Sequence, residues 1–204
     1  PKGVLENTLV LPFNDPEAAE ALIRKNSKEL AAVIVEPVQR DDPPRPEFLK
    51  ALREATEDHG VKLIFDEVIS FRMSTGGAQK LYGIKPDITT MGKIIGGGFP
   101  VGAYASTDEV AAPLVIPKTE FPEVKAARLG FSGTFNAHPV TMAAGLAVMK
   151  EMRPRVYERM NSVGQRMREG LIHILEEAHI GAQVGGLGSF FHVNWTKEKV
   201  VDYR

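Results

Sequence analysis

Short apolar runs alternate with amphipathic stretches along most of this chain. PEAAEALIRKNSKEL, residues 16–30, has a proline and acids at its start, both favourable at a helix N-terminus, and predicts a helix. AAVIVEP follows as a short buried strand. In PEFLKALREATEDH, residues 46–59, apolar Phe48, Leu49, Leu52 and Ala55 recur at helical spacing and Gly60 is placed to end the helix. VKLIFDEV reads as a second buried strand ending in acids, DITTM as a third and VGAYAS as a fourth. The β–α–β–α–β order predicts parallel pairing through crossover helices, hence an α/β fold. Beyond SGTFN, helices are expected over about 137–152 and 154–179, followed by a glycine-punctuated pair of strands, IGAQVGG and GSFFHVNW. The last part looks like the start of another domain, with 1–153 as the first unit and 154–204 as the second.

Composition narrows the function classes. The 204 residues are 43% hydrophobic and 25% charged, enough for a sizeable core. Twenty-five basic and 26 acidic residues nearly cancel, and no basic stripe alternates with aromatics, which argues against nucleic acid. No apolar run suffices to span a bilayer and PKGVLENTLV lacks the regions of a signal peptide, so no membrane partner and a cytoplasmic location are expected. Without cysteine there are neither disulfides nor thiolate metal sites, and the five histidines show no metal spacing. All but His138, beside GTFN, read as helix-end or strand residues.

In open α/β sheets, ligands bind at the carboxyl ends of parallel strands. Glu36 closes the first strand, Asp66 and Glu67 the second, and Lys93 follows the third after one glycine. An acid and an amine converging on one crevice suit pyridoxal phosphate, whose chemistry requires a lysine to hold it and an acid to keep its ring nitrogen protonated. A Walker B strand is the rival reading of VKLIFDEV, but GxxxxGK[ST] is missing: Gly92-Lys93 is followed by Ile94 and lies after the acidic strand.

LIFDEV, GGAQKLYGIKPDITTMGKIIGGGFPVGA and SGTFNAHPVTMAAG together resemble the class III pyridoxal-phosphate aminotransferases, particularly glutamate-1-semialdehyde aminomutases and β-amino-acid aminotransferases. The resemblance runs from about Asn14 to the end. It implies the aspartate-aminotransferase-like fold type I, with part of the large domain and the start of the small C-terminal domain. It also implies that Lys93 bonds to the cofactor and shuttles the proton, with Gly96, Gly97 and Gly98 permitting a tight turn. Asp66 resembles the partner of the pyridinium nitrogen, Val68 the apolar residue on one ring face, and Glu36 the family's strand-end glutamate. Gly133 and Thr134 resemble the pair that reaches the phosphate of the neighbouring subunit's cofactor, which implies a homodimer. The implied substrates are a small amino acid or amine and a keto or aldehyde compound, with the amino group transferred between molecules or migrating within one.

The chain also departs from the family. The ornithine and aminobutyrate enzymes continue with Gly-Glu where this chain has Arg40 and Asp41, and DEVISFR is one residue shorter before Arg72 than DEV-x-TGFR. The family's N-terminal phosphate loop and stacking aromatic are not present, nor is its C-terminal carboxylate-binding arginine. The chain therefore reads as an internal portion of a longer protein. A non-catalytic folding or dimerisation fragment is the alternative from another class, although both Lys93 and Asp66 are retained.

Overall fold

The structure, a computed structural model, describes residues 1–38, 43–114, 133–198 and 200. Arg40 and Asp41 therefore lie outside the described residues. The elements in chain order are α1 (Lys2–Glu6), α2 (Pro16–Asn26), β1 (Ala32–Val35), α3 (Pro46–Asp58), β2 (Lys62–Asp66), α4 (Gly77–Tyr82), β3 (Ile88–Gly92), β4 (Gly102–Ser106), α5 (Asp108–Ala111), α6 (Pro139–Glu151), α7 (Pro154–Glu177), β5 (Gln183–Leu187) and β6 (Phe190–Asn194). Single 3₁₀ turns occupy Ser70–Met73, Lys93–Gly96 and Ala112–Leu114.

Local chemistry starts and stops the helices as expected. Asp15 caps α2 by accepting from the Ala18 N–H at 2.9 Å, and Pro16 occupies the first turn, where its missing N–H is harmless. Pro46 opens α3, and Gly60, at φ +67°, takes the left-handed conformation that reverses the chain after it.

β1, β2 and β3 pair in parallel, in the order β1-β2-β3-β4. β4 corrects the expected parallel pattern, because it runs antiparallel to β3 with Thr90 opposite Tyr104 and Gly92 opposite Gly102. The connection at 93–101 contains only one 3₁₀ turn, too little to cross the sheet, so the chain turns back as a hairpin.

The core lies on one sheet face. Val33, Val35, Leu63 and Phe65 pack under Ala19 and Ile23 of α2 and Phe48, Leu49 and Leu52 of α3. Each fully buried Leu or Phe contributes roughly 1.5–3 kcal/mol relative to exposure. The opposite face is open: Ile34 is 64% exposed and Tyr104 54%. On α7 the β5–β6 hairpin is seated by close backbone approach at Gly164, where a Cβ would strike Gly188 and Ser189, and by Arg168 donating to the Gly186 carbonyl at 3.2 Å. No helix among the described residues is long and apolar enough to cross a membrane.

An ion pair ties α3 to the sheet. Arg53 Nη1 donates to Asp87 Oδ2 at 2.9 Å, and the Leu63 N–H donates to the same oxygen at 2.8 Å. Both charged side chains are less than one-fifth exposed. Burial alone would raise the Asp87 pKa, but the Leu63 N–H and the Arg53 charge outweigh it and hold the carboxyl below its usual value of 3.8. A depressed carboxylate pKa stabilises the fold above the unfolded-state value and loses that contribution as pH falls through the folded one. Asp87→Asn in the full-length protein should therefore lose about 1–3 kcal/mol at neutral pH. In urea unfolding, the gap between wild type and variant should shrink as pH drops below about 4.

Candidate active site

The end of β2 is organised by alternation. Asp66 and Val68 face one side of the sheet and Glu67 the other, as the period of two in extended chain requires. Glu67 is fully buried. Its carboxylate accepts from Ser70 Oγ (2.9 Å), the Ala78 N–H (2.6 Å), the Gln79 N–H (2.9 Å) and Gln79 Nε2 (3.2 Å). These donors satisfy a charge whose burial would otherwise be costly, and they place it at the N-terminus of α4, where the helix dipole favours an anion. Gly77 makes the approach possible, since a Cβ there would run into the Glu67 carboxylate. With Glu67 locked, Asp66 is half-buried on the opposite side, and its Oδ1 accepts from the Val68 N–H at 3.0 Å.

The end of β3 is organised by close packing. Lys93 adopts φ +48°, a left-handed conformation uncommon outside glycine and a form of local strain that clusters at functional sites. Two contacts hold it there. A Cβ on Gly97 would collide with the Ala144 carbonyl, and one on Gly145 with the Ile95 carbonyl, so α6 and the 93–97 turn interlock backbone against backbone. Gly92 is equally bare, and Val68 sits where a Cβ would be in van der Waals contact with it. Of the three glycines expected to make the turn, Gly97 (φ +60°) and Gly98 (φ +96°) supply left-handed backbone, whereas Gly96 is required by the nearby Val101 side chain. The Lys93 amine is exposed, with no hydrogen-bond or ion-pair partner among the described residues.

Val68 and Lys93 line one cavity of about 910 Å³. Asp66 and Glu36 line a second recess of about 610 Å³ at the β1 edge, walled by residues 7–11. In the parallel register Asp66 pairs with Thr90, three positions before Lys93, so the acid and the amine share neighbouring strand ends while opening into different hollows. Glu36 is exposed one position past the Val35–Phe65 pair, level with Asp66. Gly133 and Thr134 stand exposed in the turn before α6 and line neither hollow. His138 occupies the N-cap position of α6, its Nδ1 3.4 Å from Thr141 Oγ1.

Sequence reasoning missed most of the Lys93 cavity wall. His192, read as a strand residue, is one, yet it lines the cavity with Phe190, Phe99 and Arg72. No spacing rule links 68–72 with 190–192; only the docking of the hairpin does. Among the described residues no cluster of His, Asp and Glu could hold a metal ion.

Residues 6–203 match the family described as aminotransferase class-III. The chain belongs to the class-III aminotransferases. Among relatives, it is 41% identical to glutamate-1-semialdehyde 2,1-aminomutase 2 of Brevibacillus brevis, over all of this chain and 46% of that protein. Among solved structures, an omega-transaminase from Sphaerobacter thermophilus superposes with a TM-score of 0.88 at 44% identity, covering 99% of this chain and 45% of that one. A beta-phenylalanine aminotransferase from Variovorax paradoxus superposes with a TM-score of 0.83 at 36% identity, covering 95% and 44%. The chain thus spans just under half the length of these class-III proteins, and its α/β architecture is that of aminotransferase fold type I.

Two substitutions test how this class-III site is held. Glu67→Ala leaves the buried donors of Ser70 and Ala78 unpaired and should lower unfolding stability by about 2–4 kcal/mol. Gly145→Ala must push the 93–97 turn away from α6, at about 1–3 kcal/mol. In the full-length protein, the second should also reduce retention of cofactor absorbance after dialysis, whereas an exposed control, Gly170→Ala, should not.

Proposed function

We propose that the full protein catalyses pyridoxal-phosphate-dependent transfer or internal migration of an amino group. The observation that carries this reading is Lys93, an amine without a partner among the described residues, held in left-handed backbone at the end of β3 beside Val68. The residues match the group in kind: a lysine to hold it covalently and an apolar face at Val68 in one hollow, and in the recess beside it, at the neighbouring strand end, the Asp66 carboxylate with one oxygen held by the Val68 N–H.

Pyridoxal phosphate, when bound, supplies an electron sink for charge developing at the substrate carbon. Lys93 would hold the cofactor through Nζ and, once the substrate amine has taken its place and freed that amine, would move the proton to and from that carbon. Asp66 keeps the ring nitrogen protonated by its charge. Val68 would pack on a ring face, Glu36 borders the strand ends, and Gly133 with Thr134 would reach the phosphate of a partner subunit's cofactor in a homodimer. We take 1–153 as part of the large domain and 154–204 as the linking helix and start of the small one. Substrates are a small amino acid or amine with a keto or aldehyde compound. A β-amino-acid aminotransferase, transferring the group between two molecules, is the second reading, favoured by the likeness to the Sphaerobacter omega-transaminase and the Variovorax beta-phenylalanine aminotransferase.

Borohydride reduction of the cofactor-loaded full-length protein, followed by peptide mapping, should place the pyridoxyl adduct on Lys93; an adduct on Lys62, Lys80 or Lys85 overturns the assignment. Asp66→Asn removes the charge while keeping the shape, and half-reaction rates should fall by roughly a hundredfold or more. Near-normal rates would show that another group protonates the ring. Mixing Lys93→Ala subunits with Thr134→Val subunits whose phosphate pocket is further crippled, each inactive alone, should restore activity, because one heterodimer site carries both defects and the other neither. A mixture that stays inactive although heterodimers form removes Thr134 from the shared site.

A further inference from the structure

The sheet register lays a row of polar side chains across the open face. Glu36 stands level with Asp66, Asp66 pairs with Thr90 and Thr90 with Tyr104, and residues paired in register share a face. One member of this row is unexplained. Thr90 Oγ1 is closed to solvent and has no hydrogen-bond partner among the described residues. A buried hydroxyl left unpaired is costly, and valine, its isostere, would fill the same strand position without that cost. The adjacent Thr89, on the core face, is satisfied, because its Oγ1 accepts from Gln79 Nε2 at 3.2 Å. The main chain of Thr90 is engaged as well, its carbonyl accepting from the Glu67 N–H at 2.9 Å. The hydroxyl alone is idle.

Asp66 has the matching deficit. The Val68 N–H occupies Oδ1 at 3.0 Å and Oδ2 has no partner among the described residues, whereas an ionised carboxylate accepts about four donors. Paired strands run about 4.8 Å apart, so the two side chains stand abreast, and one rotamer step brings hydroxyl and carboxylate together. We propose that Thr90 is a positioning residue: in the loaded enzyme its hydroxyl donates to the Asp66 carboxylate and holds it, as an anion, toward the cofactor's ring nitrogen. A donor to the charged form stabilises that form, so the proton between carboxylate and ring stays on the ring. No other group around Asp66 supplies this donor. Glu36 is itself an acid, Tyr104 lies beyond Thr90, and Glu67 faces the opposite side within its own set of donors. Lys93, three residues past Thr90, opens into the other hollow. The proposal rests on the pairing of Asp66 with the ring nitrogen put forward above.

The test loads the full-length protein with pyridoxal phosphate carrying heavy nitrogen in its ring, whose magnetic resonance separates the protonated from the bare ring. In the wild type the protonated signal should persist into alkaline pH. Thr90→Val keeps the shape and removes only the hydroxyl, and should lower the midpoint at which that signal is lost by about one pH unit or more. Half-reaction rates should fall about tenfold with KM little changed, because the bond acts on the charge developing in the reaction and not on substrate binding. Thr90→Ser should restore both. If the valine variant does not fold, Thr90→Ala carries the same comparison. A midpoint unmoved by loss of the hydroxyl overturns the proposal and leaves Thr90 as a strand former. A lowered midpoint that Thr90→Ser does not restore also overturns it, since packing and not the hydroxyl is then the cause. Asp66→Asn is measured alongside. If it leaves the ring protonated as in the wild type, the underlying reading of Asp66 fails, whereas loss of the proton in Asp66→Asn but not in Thr90→Val removes only the role of Thr90.

Discussion

One buried carboxylate sets the geometry from which the rest of the site is built. Glu67 has no contact with solvent and is surrounded by donors from the 3₁₀ turn and from the first turn of α4. A charge in that position tolerates no slack, because any rotation would strand it among unpaired donors in low dielectric. The strand end is thereby pinned, and the alternation of extended backbone presents Asp66 and Val68 to the opposite side. The same carboxylate and its parent carbonyl hold the turn that bears Arg72. Three residues of the site therefore inherit their orientation from a fourth that takes no part in its chemistry.

The lysine is positioned by a different device. Its left-handed backbone is unfavourable for a residue with a Cβ, and the neighbouring contacts hold it because α6 and the turn approach to backbone distance at Gly97 and Gly145. Polar satisfaction fixes one strand end and steric interlock the other. Parallel pairing of β2 with β3 brings the two ends side by side. The hairpin β5–β6 then closes the Lys93 cavity, with Arg72 bridging to Ser189 and Phe190.

Much of the candidate site was legible before any coordinates. Asp66, Val68, Lys93 and the glycines stand in motifs whose order is specific, and parallel pairing was expected from the alternation of strands and helices, although the short helix α4 between β2 and β3 was not read. Glu67 was visible only as a second strand-end acid, since nothing local distinguishes a carboxylate that caps a helix ten residues away from one in solvent. β4 was misread because a short apolar run is equally compatible with either direction; the length of its connection decides, and that depends on where β3 ends. Arg72 stood out by its spacing alone, and His192 only as one residue of a strand.

What the sequence by itself determined is what depends on neighbours along the chain: helices begun by Asp15, Pro16 and Pro46, strands marked by buried apolar runs, the in-and-out alternation of Asp66, Glu67 and Val68, and glycines where backbone must bend or be bare. The tertiary structure alone decided which strand ends share a hollow, that Asp66 and Glu36 open into one recess while Lys93 and Val68 open into another, and that a guanidinium from residue 72 meets a ring from residue 190. The physical reason is range. Propensity, capping and alternation act over a few residues and leave their mark in local composition, whereas a cavity is formed by surfaces that meet only after loops close, so its walls carry no common spacing in the chain.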